Sequence, residues 1–295
     1  MRVDRMELAD CGSPDAIVSA ILKQVPDMPI PIPVEEIARQ VDIIDIREFE
    51  TDGFEGGLIA FVDKSRGTIL VNQRSPRQRR RFTVGHELGH FLIPTHKPKD
   101  EQGFRCSTAD MNRGSFKPTD RAAQMEVEAN QFAASLLMPH VFFRKDMARL
   151  RGADIEHVVQ LAKRYDTSKE ATVRRYVESH EEACAAIVSK AGTIIRMYRA
   201  SSFPFIEAGY GQPVPAESLT ARFNPSEGTI SEWSELDGSV WLSTRYGQRP
   251  PVVYEQVLAQ SSGFRLTLLT AETSTEADEE EDELATSWTP RFHKR

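Results

Sequence analysis

The chain has 295 residues, 40% hydrophobic and 27% charged, with a formal net charge of -7. That length exceeds a usual single domain and predicts two or three units, each with its own core. The apolar share excludes wholesale disorder, and the acidic balance gives no general attraction to nucleic acid. Residues 15–25 repeat apolar side chains at three- and four-residue spacing, which predicts an amphipathic helix. Pro31, Pro33 and Val34 lead into a second, short helix over Glu35–Val41. Residues 43–47, 57–62 and 68–72, parted by Asp-Gly, Gly-Gly and Arg-Gly turns, predict a small antiparallel sheet. Ser75 and Pro76 read as the N-cap and first position of a helix that Pro94 stops, and Val84, Leu88, Phe91 and Leu92 mark that helix as buried. Residues 97–120 are rich in Pro, Gly, Asp, Asn and Ser and read as a long loop, followed by a helix at about 120–138 that ends at Met138-Pro139.

Between Ile155 and Val177 two short helical segments flank Asp166-Thr167-Ser168, the outline of a helix-turn-helix with a basic second helix. Gripping DNA is one use of such a segment; packing against the preceding domain or presenting a substrate is the plainer one. Alternating and β-branched runs within 184–200 and 228–270 predict a β-rich C-terminal part, and Glu276–Glu283 is an acidic run expected to be a solvated tail. The fold class is therefore α+β. Cys11, Cys106 and Cys184 are odd in number and widely spaced, so no disulfide framework or cysteine zinc site is implied and a reducing compartment fits. No apolar run is long enough to span a membrane, and the charged start lacks a signal peptide's apolar segment, so the expected location is the cytoplasm.

The chemistry is concentrated at His86-Glu87-Leu88-Gly89-His90. Two histidines four apart on a helix project from one face, one turn apart, close enough to share a metal ion. Glu87, beside the first of them, is placed to act as general base toward a water. Zinc is the expected metal, because imidazole suits it and a catalytic site keeps one position open. A third protein ligand is needed, and the helix from Ala122 to Pro139 offers Glu126 and Glu128. At 100° per residue, Glu126 shares the apolar face of Ala129 and Ala133 while Glu128 lies toward solvent. A carboxylate aimed at the core requires a cation, which favours Glu126 over Glu128; Asn130, one turn on, is placed to orient a ligand. His96, His140 and Tyr165 are candidates for stabilising the transition state, each with a plain packing or loop reading beside it.

Pro31-x-Pro33-Val34-Glu35-Glu36-Ile37-Ala38, Ile69-x-Val71-Asn72, Arg81-Phe82-Thr83-x-x-His86-Glu87-Leu88-Gly89-His90 and Glu126-x-x-Ala129-Asn130-x-Phe132-Ala133-x-x-Leu136-Leu137-Met138-Pro139 together resemble the ImmA/IrrE family of metallopeptidases. The resemblance spans about residues 15–145. It implies a thermolysin-like minimal peptidase core and zinc held by His86, His90 and Glu126, with Glu87 catalytic. It also implies limited proteolysis of a helix-turn-helix (XRE-type) repressor, which would release stress, phage or mobile-element genes. The stretch from His90 to Glu126 is long for that family, and His96 matches a family histidine only loosely. The expected organisation is a zinc metallopeptidase domain over 1–145, a helix-turn-helix-like connector over 146–180, a β-rich regulatory or sensor-like domain over 181–272, and an acidic flexible tail over 273–295. The alternative is a regulator that binds DNA or sequesters its repressor around a non-catalytic zinc.

Three further features have both a sharp and a plain reading. Arg77, Arg79, Arg80 and Arg81 form a basic patch that would attract an acidic substrate segment, or simply a solvated helix face. Cys106 is a loop cysteine, or a thiolate that caps the zinc. Phe203, Phe205, Trp233 and Trp241 are core aromatics, or part of a sensor pocket.

Overall fold

Ser13 starts the first long helix, α1 (Pro14–Gln24): its hydroxyl accepts from the Ala16 amide, and Pro14 sits where no intrahelical N–H bond is lost. Ile17, Val18 and Ile21 form the buried stripe that the spacing predicts. A second helix, α2 (Val34–Gln40), buries Val34, Ile37 and Ala38. The structure is a computed structural model that describes residues 1–60, 63–97, 104–106, 120–243 and 250–272. The expected tail at 273–295 and most of the 97–120 loop therefore lie outside the described residues, as does the side chain of Cys106.

The chain is mixed α and β and divides into two units, Met1–Leu150 with Val159–Thr172, and Arg151–Val158 with the residues from Val173 on. Residues 146–180, read as a connector, are thus shared between the two.

In the first unit, β1 (Ile43–Phe49), β2 (Gly56–Ala60), β3 (Gly67–Asn72) and β4 (Phe104–Cys106) form one sheet in the order β1-β3-β2-β4. The sheet is not purely antiparallel as expected. β2 and β3 pair antiparallel, but β1 lies on the free side of β3 and runs parallel to it, with Ile46 opposite Ile69. Turn residues between strands mark reversals, but they do not say which edge an earlier strand will join. Alternation holds within β2, where Leu58 is buried and Ile59 is 51% exposed.

The sheet carries α3 (Arg77–Leu92), which packs on β2 and β3 and also against α4 (Arg121–Leu137). Every residue of α3 from Thr83 to Leu92 is buried. Pro76, with extended ψ, is the N-cap instead of the first helical residue, and Ser75 donates its hydroxyl hydrogen to Glu55 at 2.8 Å instead of capping the helix. Asp120 caps α4, accepting from the Ala123 amide at 3.0 Å. Asp15 joins α1 to α4 by accepting from Gln131 and Ser135 at 2.8 and 2.9 Å. Ile17, Ile21, Ile37, Leu58, Ile69, Leu88, Phe91, Phe132 and Leu136 belong to the shared core.

The arginine run at the start of α3 is not a free patch. Arg77 and Arg81 meet Asp166 at 2.7 and 3.3 Å, Arg79 lies 3.5 Å from Glu55, and Arg80 pairs with Glu48. Gln78 also donates to Asp166, at 3.0 Å. Asp166 stands in the left-handed region (φ 52) in the turn between α6 (Ile155–Tyr165) and α7 (Lys169–Ser179), which follow α5 (His140–Met147).

In the second unit, β5 (Cys184–Lys190), β6 (Thr193–Arg199), β7 (Ser234–Leu236), β8 (Val253–Ala259) and β9 (Phe264–Ala271) form an antiparallel sheet in the order β6-β5-β9-β8-β7. Ala191 and Gly192, both at positive φ (47 and 79), make the tight turn between β5 and β6 that suits strand twist. Phe203, Ile206, Trp241 and Leu242 pack on Ala185, Ile187 and Leu269, so Phe203 and Trp241 are core aromatics, whereas Phe205 is 67% exposed. Glu255 of β8 is fully buried there. It accepts from the Leu219 and Thr220 amides at the start of a short helix, α8 (Leu219–Arg222), from the Thr220 hydroxyl, and from the Trp241 indole. Burial pushes the Cys184 thiol up to about 12, the state of an inert core cysteine. Among the described residues, no helix is long and apolar enough to cross a membrane.

Candidate metal centre

A helix buried along ten residues has no place for polar groups that lack partners, yet α3 carries His86, Glu87 and His90, all with no exposed surface. One ligand atom from each of His86, His90 and Glu126 lies within 4.8 Å of the others, and among the described residues this is the one group of three or more such side chains so placed. The two Nε2 atoms are 3.1 Å apart, and Glu126 Oε2 is 3.2 Å from that of His86 and 3.6 Å from that of His90. Ligands at roughly 2.0–2.2 Å from a tetrahedral zinc sit about 3.3–3.5 Å from one another. The three atoms therefore already occupy corners of a tetrahedron of the right size, and the donor set fits a small divalent cation.

Protonation agrees with that fit. Burial lowers the His90 imidazole to about 3, so at neutral pH it is the neutral base a metal requires. Burial alone would raise the Glu126 carboxyl, but bonding to His86 and His90 outweighs it and holds the group well below the usual carboxylate range. Asn130 Oδ1 is 3.0 Å from His86 Nδ1, the orienting role expected for it. Phe104 stacks on the His90 ring, with centroids 4.4 Å apart.

The sequence left Glu128 open as a rival ligand. The structure places it away from the histidine pair and on His96 instead, at 2.9 Å from Nε2. His96 is itself fully buried with Nδ1 3.0 Å from His90 Nδ1, so it touches the back of a ligand. Tyr165 is buried and donates to Asp146 at 2.8 Å, which accounts for it as a packing residue.

Lys64 was not singled out from the sequence. Its ammonium donates to the carbonyls of His90 and Ile93 at 2.6 and 2.8 Å, closing the C-terminal end of α3; burial, with nearby Arg5, lowers it to about 8. A lone lysine in a turn gives no sequence signal for such a contact.

Glycines explain how Glu126 reaches the histidines. A Cβ on Gly85 would lie 3.2 Å from Ala133 Cβ, and one on Gly89 would lie 3.1 Å from Phe132 Cδ1 and 3.2 Å from Ala129 Cα. Gly85 and Gly89 on α3 thus face Ala129 and Ala133 on α4, and the two backbones approach more closely than larger residues allow. Gly89→Ala is expected to wedge them apart. Overpacking of about 1–3 kcal/mol outweighs a helix-propensity gain of about 1 kcal/mol. Affinity for a divalent cation should drop with every candidate ligand intact. Native-like affinity in a chelator competition, with an unchanged urea midpoint, would show that the seam does not set the ligand spacing.

Residues 40–176 match the family model described as an IrrE N-terminal-like domain. Among solved structures, a Mycobacterium tuberculosis transcriptional regulator superposes with a TM-score of 0.55 over 90% of this chain and 79% of its own, at 14% identity. At that identity the likeness speaks to the fold alone. Curated proteins give no match.

Proposed function

Residues 40–176 of this chain belong to the ImmA/IrrE family, with its metallopeptidase-like fold, and from that premise we propose a zinc-dependent endopeptidase whose substrate is a helix-turn-helix (XRE-type) repressor. The observation that carries this reading is the convergence of His86, His90 and Glu126 within 4.8 Å on a buried helix that also bears Glu87. When bound there, zinc supplies Lewis-acid chemistry toward a peptide carbonyl and an attacking water. The chain's own residues do the rest. His86, with Asn130 behind it, and His90 offer their Nε2 lone pairs, and Glu126 adds a negative charge. Glu87 takes a proton from the attacking water and returns it to the departing amine.

The substrate class rests on the family resemblance. The second reading is a regulator that acts by binding alone, favoured by the helix pair α6–α7 on either side of the Asp166 turn. Incubating the zinc-loaded full chain with the helix-turn-helix repressor encoded nearest its gene, and following intact mass, separates the two. Two fragments that sum to the repressor plus one water, absent after chelation, are expected. Stable association with an intact repressor would replace cleavage by sequestration.

A further inference from the structure

The face of His90 turned away from the metal site meets a chain of three side chains. His90 Nδ1 lies 3.0 Å from His96 Nδ1, and His96 Nε2 lies 2.9 Å from Glu128 Oε2. Gln124 donates to the other Glu128 oxygen at 2.8 Å. Both histidines are fully buried, while the Glu128 side chain is 25% exposed. Two ring nitrogens can share a hydrogen bond only when one holds a proton and the other a lone pair. His90 can present an Nε2 lone pair to a metal only with its own proton on Nδ1. His96 Nδ1 is then the acceptor, so a neutral His96 carries its proton on Nε2, facing the Glu128 carboxylate. Each proton in the chain is thereby assigned from its neighbour.

We propose that His96 and Glu128 form a positioning relay that locks His90 in its metal-binding tautomer and transmits the carboxylate's charge to that ligand. The proposal rests on the zinc reading above and deepens it. The two histidine ligands are backed unequally: His86 faces the neutral amide oxygen of Asn130, whereas His90 is linked through an imidazole to a full negative charge. His96 and Glu128 act through His90 and need touch neither substrate nor water.

The native protein itself provides the first test. In the zinc-loaded full chain labelled with ¹⁵N-histidine, long-range proton–nitrogen correlation should show His96 protonated on Nε2 with a free Nδ1, and His90 protonated on Nδ1. A proton on His96 Nδ1 would overturn the relay. The second test is zinc affinity by competition with a chromophoric chelator for the native chain, His96→Phe, Glu128→Gln, the double variant and His86→Ala. His96→Phe is expected to weaken zinc by about ten- to a hundredfold, Glu128→Gln by less, and the double variant no more than His96→Phe alone. Native-like affinity in His96→Phe, or losses that simply add, would reject the relay. If His86→Ala loses zinc while His96→Phe keeps it, only the relay fails. If His86→Ala binds as tightly as the native chain, the metal site itself fails.

Discussion

If the chain is the zinc endopeptidase proposed above, Glu87→Gln is expected to bind zinc as the native chain does and to cleave the repressor about 10²–10⁴-fold more slowly. Glutamine keeps the shape and volume of the side chain, so a buried position on α3 is not disturbed by size. It also keeps a carbonyl oxygen that accepts a hydrogen bond. What it removes is basicity, since an amide cannot hold the proton taken from water. His86, His90 and Glu126 are untouched, so metal content measured in the same sample separates chemistry from loading. Single-turnover fragment formation, read by intact mass, gives the rate. Activity within about tenfold of native, with zinc present, would remove Glu87 from the role of base.

The second large effect concerns the other unit. Glu255→Ala is expected to destabilise it by about 3–5 kcal/mol. The carboxylate takes hydrogen bonds from two amides, a hydroxyl and an indole, all turned toward a buried point. Alanine leaves the two amides and the indole facing one another without that acceptor, while the Thr220 hydroxyl keeps Thr267 as a partner, and each buried donor so stranded costs about 1–3 kcal/mol. Part of that is recovered if water enters the cavity left behind. Glu255→Gln should fall between the two, because one oxygen remains while the new NH₂ group faces other donors. Urea unfolding followed by tryptophan fluorescence measures the loss. A midpoint shift equivalent to less than about 1 kcal/mol would mean that the donors find other partners.

Much of the candidate site was legible in the sequence because its signals are local. Four-residue spacing places His86 and His90 on one face, and the apolar stripe of the following helix places Glu126 inward; the structure brings these three together. The partners behind them were harder to read. Glu128 is two residues from Glu126, so the two point to different sides of one helix. That both are engaged becomes visible only when His96, beyond the end of α3, is set between Glu128 and His90. A further signal lies in small residues: Gly85 and Gly89, four apart, match Ala129 and Ala133, four apart, as two helices in close contact require. Long-range pairings had no such signal. The parallel placement of β1 beside β3 and the capture of Arg77 and Arg81 by Asp166 depend on which distant segment arrives, and spacing does not encode that.

The helix that bears the histidines is fastened at both ends, to Asp166 through Arg77, Gln78 and Arg81 and to Lys64 through the carbonyls of His90 and Ile93. Small metal modules that collapse without their ion must rebuild themselves each time one is captured, and affinity suffers by that ordering entropy. Here each end of the helix is held by side chains from elsewhere in the same unit. A cation arriving at that site meets ligands on a helix already tethered to its neighbours, so less of its binding free energy is spent on ordering the chain.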